Sequence, residues 1–169
     1  SRLFCKGIVI LVAGINMEKL SILTYTIEDF LREPKILAKY SDPYGYIRNC
    51  GEGWIKLLKE NPHSQPQDIA LILTVDNNTV VGRLGLYAGI VKYREKAEKT
   101  YWLSGFFLNK DYKNSGSGGL MLLKAINFFK CLVAAGGPRI DTQKLYRATG
   151  FSQISALKRF VYFYNSKVI

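Results

Sequence analysis

Between an apolar, aromatic run from Tyr101 to Leu108 and a helical pattern that starts near Ser117 lies the polar turn Lys113-Asn114-Ser115-Gly116-Ser117-Gly118-Gly119. Residue types in that order suit the capture of an anion. Backbone amides in the first turn of a helix have no intrahelical acceptor, the helix dipole adds positive potential, and glycines let a phosphate approach with no Cβ in the way. Lys113 adds a charged side chain at the entrance. The spacing also excludes two common phosphate ligands. A nucleoside triphosphate loop needs Lys and then Ser or Thr directly after its last glycine, where Leu120 and Met121 stand here. A dinucleotide turn started at Gly116 would need its third glycine at Met121, and no early βαβ unit surrounds it.

Other reactive side chains are few. Cys5, Cys50 and Cys131 form no CxxC pair and leave an odd count, which argues against a disulfide framework and fits a reducing, cytoplasmic setting. Cys131 sits in an apolar run and reads as buried. With one histidine, His63, in a Pro/Gln/Ser loop, no zinc site and no other metal centre is expected. Glu95 and Glu98 fall in the charged bridge Lys92–Lys99 and read first as surface ion-pair partners.

The elements that must position these groups follow from pattern and breakers. Leu20–Thr26 is β-rich, and Thr26 with Glu28 and Asp29 starts a helix that Pro34 limits. A tyrosine-rich loop, Ser41–Gly53, leads to a short helix from Trp54 to Glu60, ended by Asn61-Pro62. Asp68–Val75, the turn Asp76-Asn77-Asn78 and Thr79–Ala88 form a hairpin. The bridge Lys92–Lys99 leads into the Tyr101–Leu108 strand, and the glycine turn opens a helix over Ser117–Phe129, apolar on most of its circumference. Lys130–Ala135 reads as a short strand parallel to its predecessor, because a helix connects them. Asp141 is expected to cap a helix over Thr142–Ala148 that closes at Gly150. Ile154–Ile169 reads as one long strand.

The order basic, x, x, Gly, x, Gly in LNKDYKNSGSGG, followed downstream by QKLYRATGF (Gln143–Phe151), resembles the GNAT superfamily of acyl-coenzyme A-dependent N-acyltransferases. Lys113 stands where that family usually has Arg or Gln, and Arg139 where an Asn often begins the second motif. The resemblance covers roughly Leu20 to Phe163, and LYRATGF followed by LKRFVYF is also similar to acetyltransferase-like proteins of cell-surface polysaccharide clusters. It implies an α/β fold of the α+β kind, with a mixed, mainly antiparallel central sheet flanked by helices and two parallel, splayed strands around the glycine turn. It further implies acetyl-CoA as the donor. Phe106, Phe107 and Leu108 would hold the pantetheine arm, and the amides of Ser115–Gly119, with Lys113 and Asn114, the pyrophosphate. Tyr146 would be the general acid and Glu98 the base, with Tyr44, Tyr46 and Trp54 as acceptor walls; the same three aromatics would equally serve as packing at a helix corner.

Length and charge set the outer bounds. A chain of 169 residues is expected to form one domain, over residues 17–169, with a leader or added strand at 1–16 and a C-terminal end that looks cut short. The apolar run GIVILVAGI is too short to span a bilayer. A net charge of +11 asks for an acidic partner, which coenzyme A or a nucleic acid would be. Two functions are therefore carried forward. The favoured one is an N-acetyltransferase acting on an amine-bearing acceptor, as a monomer or homodimer. The alternative is a non-catalytic basic module that binds nucleic acid or a partner protein.

Overall fold

The computed structural model describes residues 20–48, 50–129, 132–134 and 140–152. The chain groups into two compact units, Ser1–Ala135 and Gly136–Ile169. In the first, strand β1 (Leu20–Thr26) runs into helix α1 (Ile27–Arg32). Thr26 makes that junction: its hydroxyl accepts from the Asp29 N–H at 3.2 Å, and the Asp29 carboxylate accepts from the Thr26 N–H at 2.8 Å. This reciprocal capping satisfies two helix-end donors. Pro34 forbids continuation, and a 3₁₀ turn over Ile36–Lys39 follows.

Helix α2 (Glu52–Glu60) turns Trp54 and Leu58 inward, where Phe30 meets the Trp54 ring edge-on at 5.2 Å. Strands β2 (Ile69–Asp76) and β3 (Thr79–Tyr93) are joined by Asn77 and Asn78, with φ of +45° and +65°. Two consecutive positive φ values are what a two-residue hairpin of the strand twist requires, and asparagine tolerates them. Leu71, Leu73 and Val75 of β2 share one core with Phe30, Trp54 and Leu58. Each such fully buried side chain contributes about 1.5–3 kcal/mol.

Strand β4 (Lys96–Leu108) returns along β3. The stretch Lys92–Lys99, expected as a bridge, is mostly strand: only Arg94 and Glu95 turn, while Val91 pairs with Glu98 and Lys92 with Ala97. The ladder continues from the packed part of the sheet, so cross-strand pairing carries polar residues into the strand. The turn-side half of the hairpin is pinned by Asp68, which accepts from Lys99 Nζ at 2.9 and 3.0 Å and from the Tyr101 hydroxyl at 2.7 Å.

Helix α3 (Ser117–Phe128) carries the chain from β4 to β5 (Leu132–Ala134), which pairs parallel with β4 over Tyr101–Leu103. The sheet order is β1-β2-β3-β4-β5. A Cβ at Gly82 would lie 3.0 Å from Leu108 and 3.1 Å from Met121, so the missing side chain lets α3 sit close on β3. With α1 and α2 on one face and α3 on the other, the mainly antiparallel mixed sheet has the expected α+β layout.

The second unit, taken by itself, contains helix α4 (Ile140–Ala148). Asp141 lies inside its first turn instead of capping it. At the other end Gly150 adopts φ +94° and its N–H reaches the Arg147 carbonyl, while the Phe151 N–H reaches that of Tyr146. That pair of bonds is the glycine stop the sequence foretells. Residues 1–16, Cys5, Cys131, Arg139, the splay beyond Ala134 and the strand from Ile154 lie outside the described residues.

Candidate active site

The site begins at an irregularity in β4. Gly85 pairs with Ser104 but Arg83 with Phe107, so Gly105 and Phe106 together stand opposite Leu84. The extra residue is a β-bulge, and Gly105 absorbs it at φ +58°. A Cβ there would meet Arg83 Nη2 at 3.2 Å and the Phe107 ring at 3.3 Å. Glycine is therefore favoured by conformation, and a Cβ would press on both side chains.

Beyond the bulge the chain turns with help from its own side chains. The Asn109 side chain accepts from the Asp111 N–H at 2.9 Å, starting a 3₁₀ turn over Lys110–Tyr112. The Tyr112 hydroxyl donates to Asp76 at 2.5 Å, which with burial pushes its pKa up to about 12. The Ser115 hydroxyl donates to the Tyr112 carbonyl at 2.7 Å, and the Ser117 N–H donates to Ser115 Oγ at 3.2 Å. Gly116, at φ +76°, then opens α3.

This geometry divides the seven residues of the turn. Ser115 and Ser117 are buried, like Gly118, and the Ser115 N–H and hydroxyl and the Ser117 N–H are bonded within the protein, which shapes the loop. The amides of Gly116, Gly118 and Gly119 have no acceptor among the described residues. Lys113 and Asn114 are exposed at its entrance. Glycine amides at a left-handed helix entry, with a lysine beside them, fit a diphosphate.

On the α1/α2 face of the sheet, next to the bulge, a cleft of about 170 Å³ is lined by Tyr44, Gly45, Tyr46, Arg83 and Phe107. Asp42 holds its outer wall by accepting from the N–H groups of Tyr46 at 2.7 Å and Ile47 at 2.9 Å. Tyr46 stacks on Phe107 at 6.0 Å between ring centres, nearly parallel, and Tyr44 lies 5.5 Å from Tyr46. Burial, then Tyr44 and Asp42, raise the Tyr46 phenol pKa. The floor is Arg83, which is 6% exposed and donates through Nη1 to the Tyr46 carbonyl at 2.9 Å.

No protein-family model matches the chain, and no curated protein matches it by sequence. Solved structures do match in fold. An aminoglycoside acetyltransferase from an uncultured soil metagenomic sample, crystallised with trehalose, superposes with a TM-score of 0.55 at 17% identity, over 87% of this chain and 97% of its own. The aminoglycoside N-acetyltransferase AAC(6')-Iy in complex with CoA gives 0.54 at 13%, over 87% and 95%. A Trypanosoma brucei acetyltransferase gives 0.54 at 11%, over 85% and 99%. The chain shares the GNAT fold of these acetyltransferases.

Within that GNAT fold, the residues singled out from the sequence separate into groups. Phe106 completes the bulge, and Phe107 and Leu108 lead on to the glycine turn, with Phe107 50% exposed at the cleft. Tyr44 and Tyr46 reach the same cleft. Trp54 does not: it is 7% exposed and packs on Phe30 in the core, its indole N–H beside Tyr87. A tryptophan that opens a short amphipathic helix has its apolar stripe to satisfy first, and α2 faces the sheet. Glu98 is exposed near the tip of the β3–β4 hairpin, opposite Val91. It lies seven positions before Gly105 on β4, roughly 23 Å at the usual strand rise.

Tyr146, in the second unit, has its pKa raised by burial and its ring 5.1 Å from that of Phe151. Arg83 was not foreseen from the sequence. Its one signal is a charged residue in the middle of the otherwise apolar TVVGRLGLYA.

Proposed function

We propose that the chain is an acyl-CoA-dependent N-acyltransferase that moves an acetyl group from acetyl-CoA to a primary amine by direct attack. The observation that carries this reading is the glycine turn: three amides without an acceptor at the start of α3, placed directly after a bulged strand. The fold it shares with acetyltransferases, one of them bound to CoA, supports the same reading. When bound, the coenzyme supplies an acyl thioester with a thiolate leaving group.

The chain's own groups then have separate tasks. Amides of Gly116, Gly118 and Gly119 hold the diphosphate, and Lys113 adds charge that salt screens. The backbone of Phe106–Leu108, turned by the bulge, aligns the pantetheine arm. Tyr44, Tyr46 and Phe107 enclose the acceptor and exclude water, which strengthens every polar contact inside. Tyr146 donates the proton that the departing sulfur needs. Burial raises its pKa, so the phenol stays protonated through neutral pH. Glu98 lies too far along β4 from the bulge to take the amine proton directly.

Two measurements test this. Acetyl-CoA at a hundred times its Kd stabilises the folded state by about 2.7 kcal/mol, which for a chain of this size is a rise of about 5–10 °C in Tm. Tyr146→Phe with an unchanged melt loses about 100-fold or more in kcat. Salt-sensitive nucleic-acid binding with no shift by acetyl-CoA is the result that replaces the enzyme with the basic binding module.

A further inference from the structure

Arg83 is a cation placed where a protein seldom leaves one without a purpose. It is 6% exposed, in the middle of β3, and no carboxylate among the described residues forms an ion pair with it. Nη1 is spent on the Tyr46 carbonyl, whereas the buried Nε has no hydrogen-bond partner. The nearest anion on the loop, Asp42, already accepts from two backbone N–H groups, at 2.7 and 2.9 Å. A buried guanidinium with no counter-anion costs free energy until an anion reaches its exposed edge. Arg83 faces a cleft, and that cleft opens beside the bulge.

We infer that Arg83 binds the carboxylate of the acceptor, so that the amine substrate is an amino acid or a similar small amine bearing a carboxylate. This rests on the acyltransferase reading for its amine and on the cleft alone for its anion. The planar, forked guanidinium matches a carboxylate edge, and the stacked Tyr46 and Phe107 rings form an apolar wall beside it. Arg48 stands at the rim, its guanidinium carbon 3.8 Å from where a Gly45 Cβ would be, and adds positive potential at the mouth. Among the residues that line the cleft none is acidic. A site for a polycationic amine needs the opposite. At about 170 Å³ the space suits a small acceptor or the anionic end of a larger one.

The test uses matched acceptors in a thiol-release assay: α-, β- and ω-amino acids against their carboxamides, with an aminoglycoside alongside. In the wild type at least one amino acid exceeds its carboxamide by about tenfold or more in kcat/KM, the size of a charged hydrogen bond made or lost. That ratio falls to about one in Arg83→Gln, and Arg83→Lys, which keeps the charge without the fork, restores part of it. Calorimetric titration with the N-acetylated amino acids and their carboxamides gives a readout independent of turnover, and thermal melts show which variants fold. Carboxamides or the aminoglycoside used as well as the amino acids, a preference that survives in Arg83→Gln, or no binding of any carboxylate overturns the inference. Carboxylate binding that depends on Arg83 in a protein that ignores acetyl-CoA upholds it and overturns the acyltransferase reading instead.

Discussion

Asp29 shows how one side chain governs the entry to the fold. Its hydrogen bond from the Thr26 backbone is the main reason its pKa is lowered, with the Thr26 hydroxyl and Arg32 adding to it against a smaller opposing effect of burial. A carboxyl whose folded pKa lies below its unfolded value, about 3.9, stabilises the protein above that value and loses the contribution as pH falls through the folded one. Thr26→Ala is therefore expected to cost about 1 kcal/mol at neutral pH, and urea melts between pH 5 and pH 2 should show a shallower acid slope than the wild type. Gly116 is the residue-scale test of the anion site. At φ +76° any L-residue costs about 1–2 kcal/mol of backbone strain, and Gly116→Val also places a branched side chain in the turn. The acetyl-CoA titration should weaken more than the melt does. Gly116 was legible from the sequence because helix-entry chemistry is local. Arg83 was not, because its meaning depends on which of its neighbours across the sheet turn out to be aromatic and which of its donors are left unmet.

At the scale of elements, the bulge in β4 couples the two halves of the site. Gly105 makes room for the Arg83 guanidinium while sending Phe106–Leu108 toward the turn. Gly105→Ala should lower stability by about 1–2 kcal/mol for its positive φ and shift both acetyl-CoA affinity and acceptor KM, whereas a lesion confined to either half moves one alone. Strand and helix order was readable over the described residues, since apolar periodicity and the stops at Pro34, Asn77-Asn78 and Gly150 are near-neighbour effects. The bulge was not readable: it depends on register between β3 and β4, and neither strand's own pattern records it. The same reason explains the Lys92–Lys99 stretch, whose polar sequence hides a ladder formed by its partner. Trp54 marks the other limit, since composition alone does not tell a loop-side aromatic from a core one.

For the molecule as a whole, the Asp68, Lys99 and Tyr101 cluster ties the loop before β2 to the middle of the sheet. Burial opposes the charge on Lys99, but the hydrogen bond and charge of Asp68 outweigh it and raise the lysine pKa. A cation whose folded pKa is raised contributes stability that is fully present below its unfolded value, about 10.4, and lost as pH climbs through the folded one. The stability gap between wild type and Lys99→Met should hold at pH 9 and narrow above about pH 10.5 in urea melts. The net charge of +11 adds a field in which any anionic ligand binds more weakly as salt rises, so ionic strength alone does not distinguish coenzyme from nucleic acid. A crystal structure of the protein with acetyl-CoA does distinguish them. The account predicts diphosphate oxygens about 3 Å from the amide nitrogens of Gly116, Gly118 and Gly119, with the thioester at the bulge; a diphosphate bound elsewhere, or a turn that no ligand enters at saturating acetyl-CoA, would contradict it.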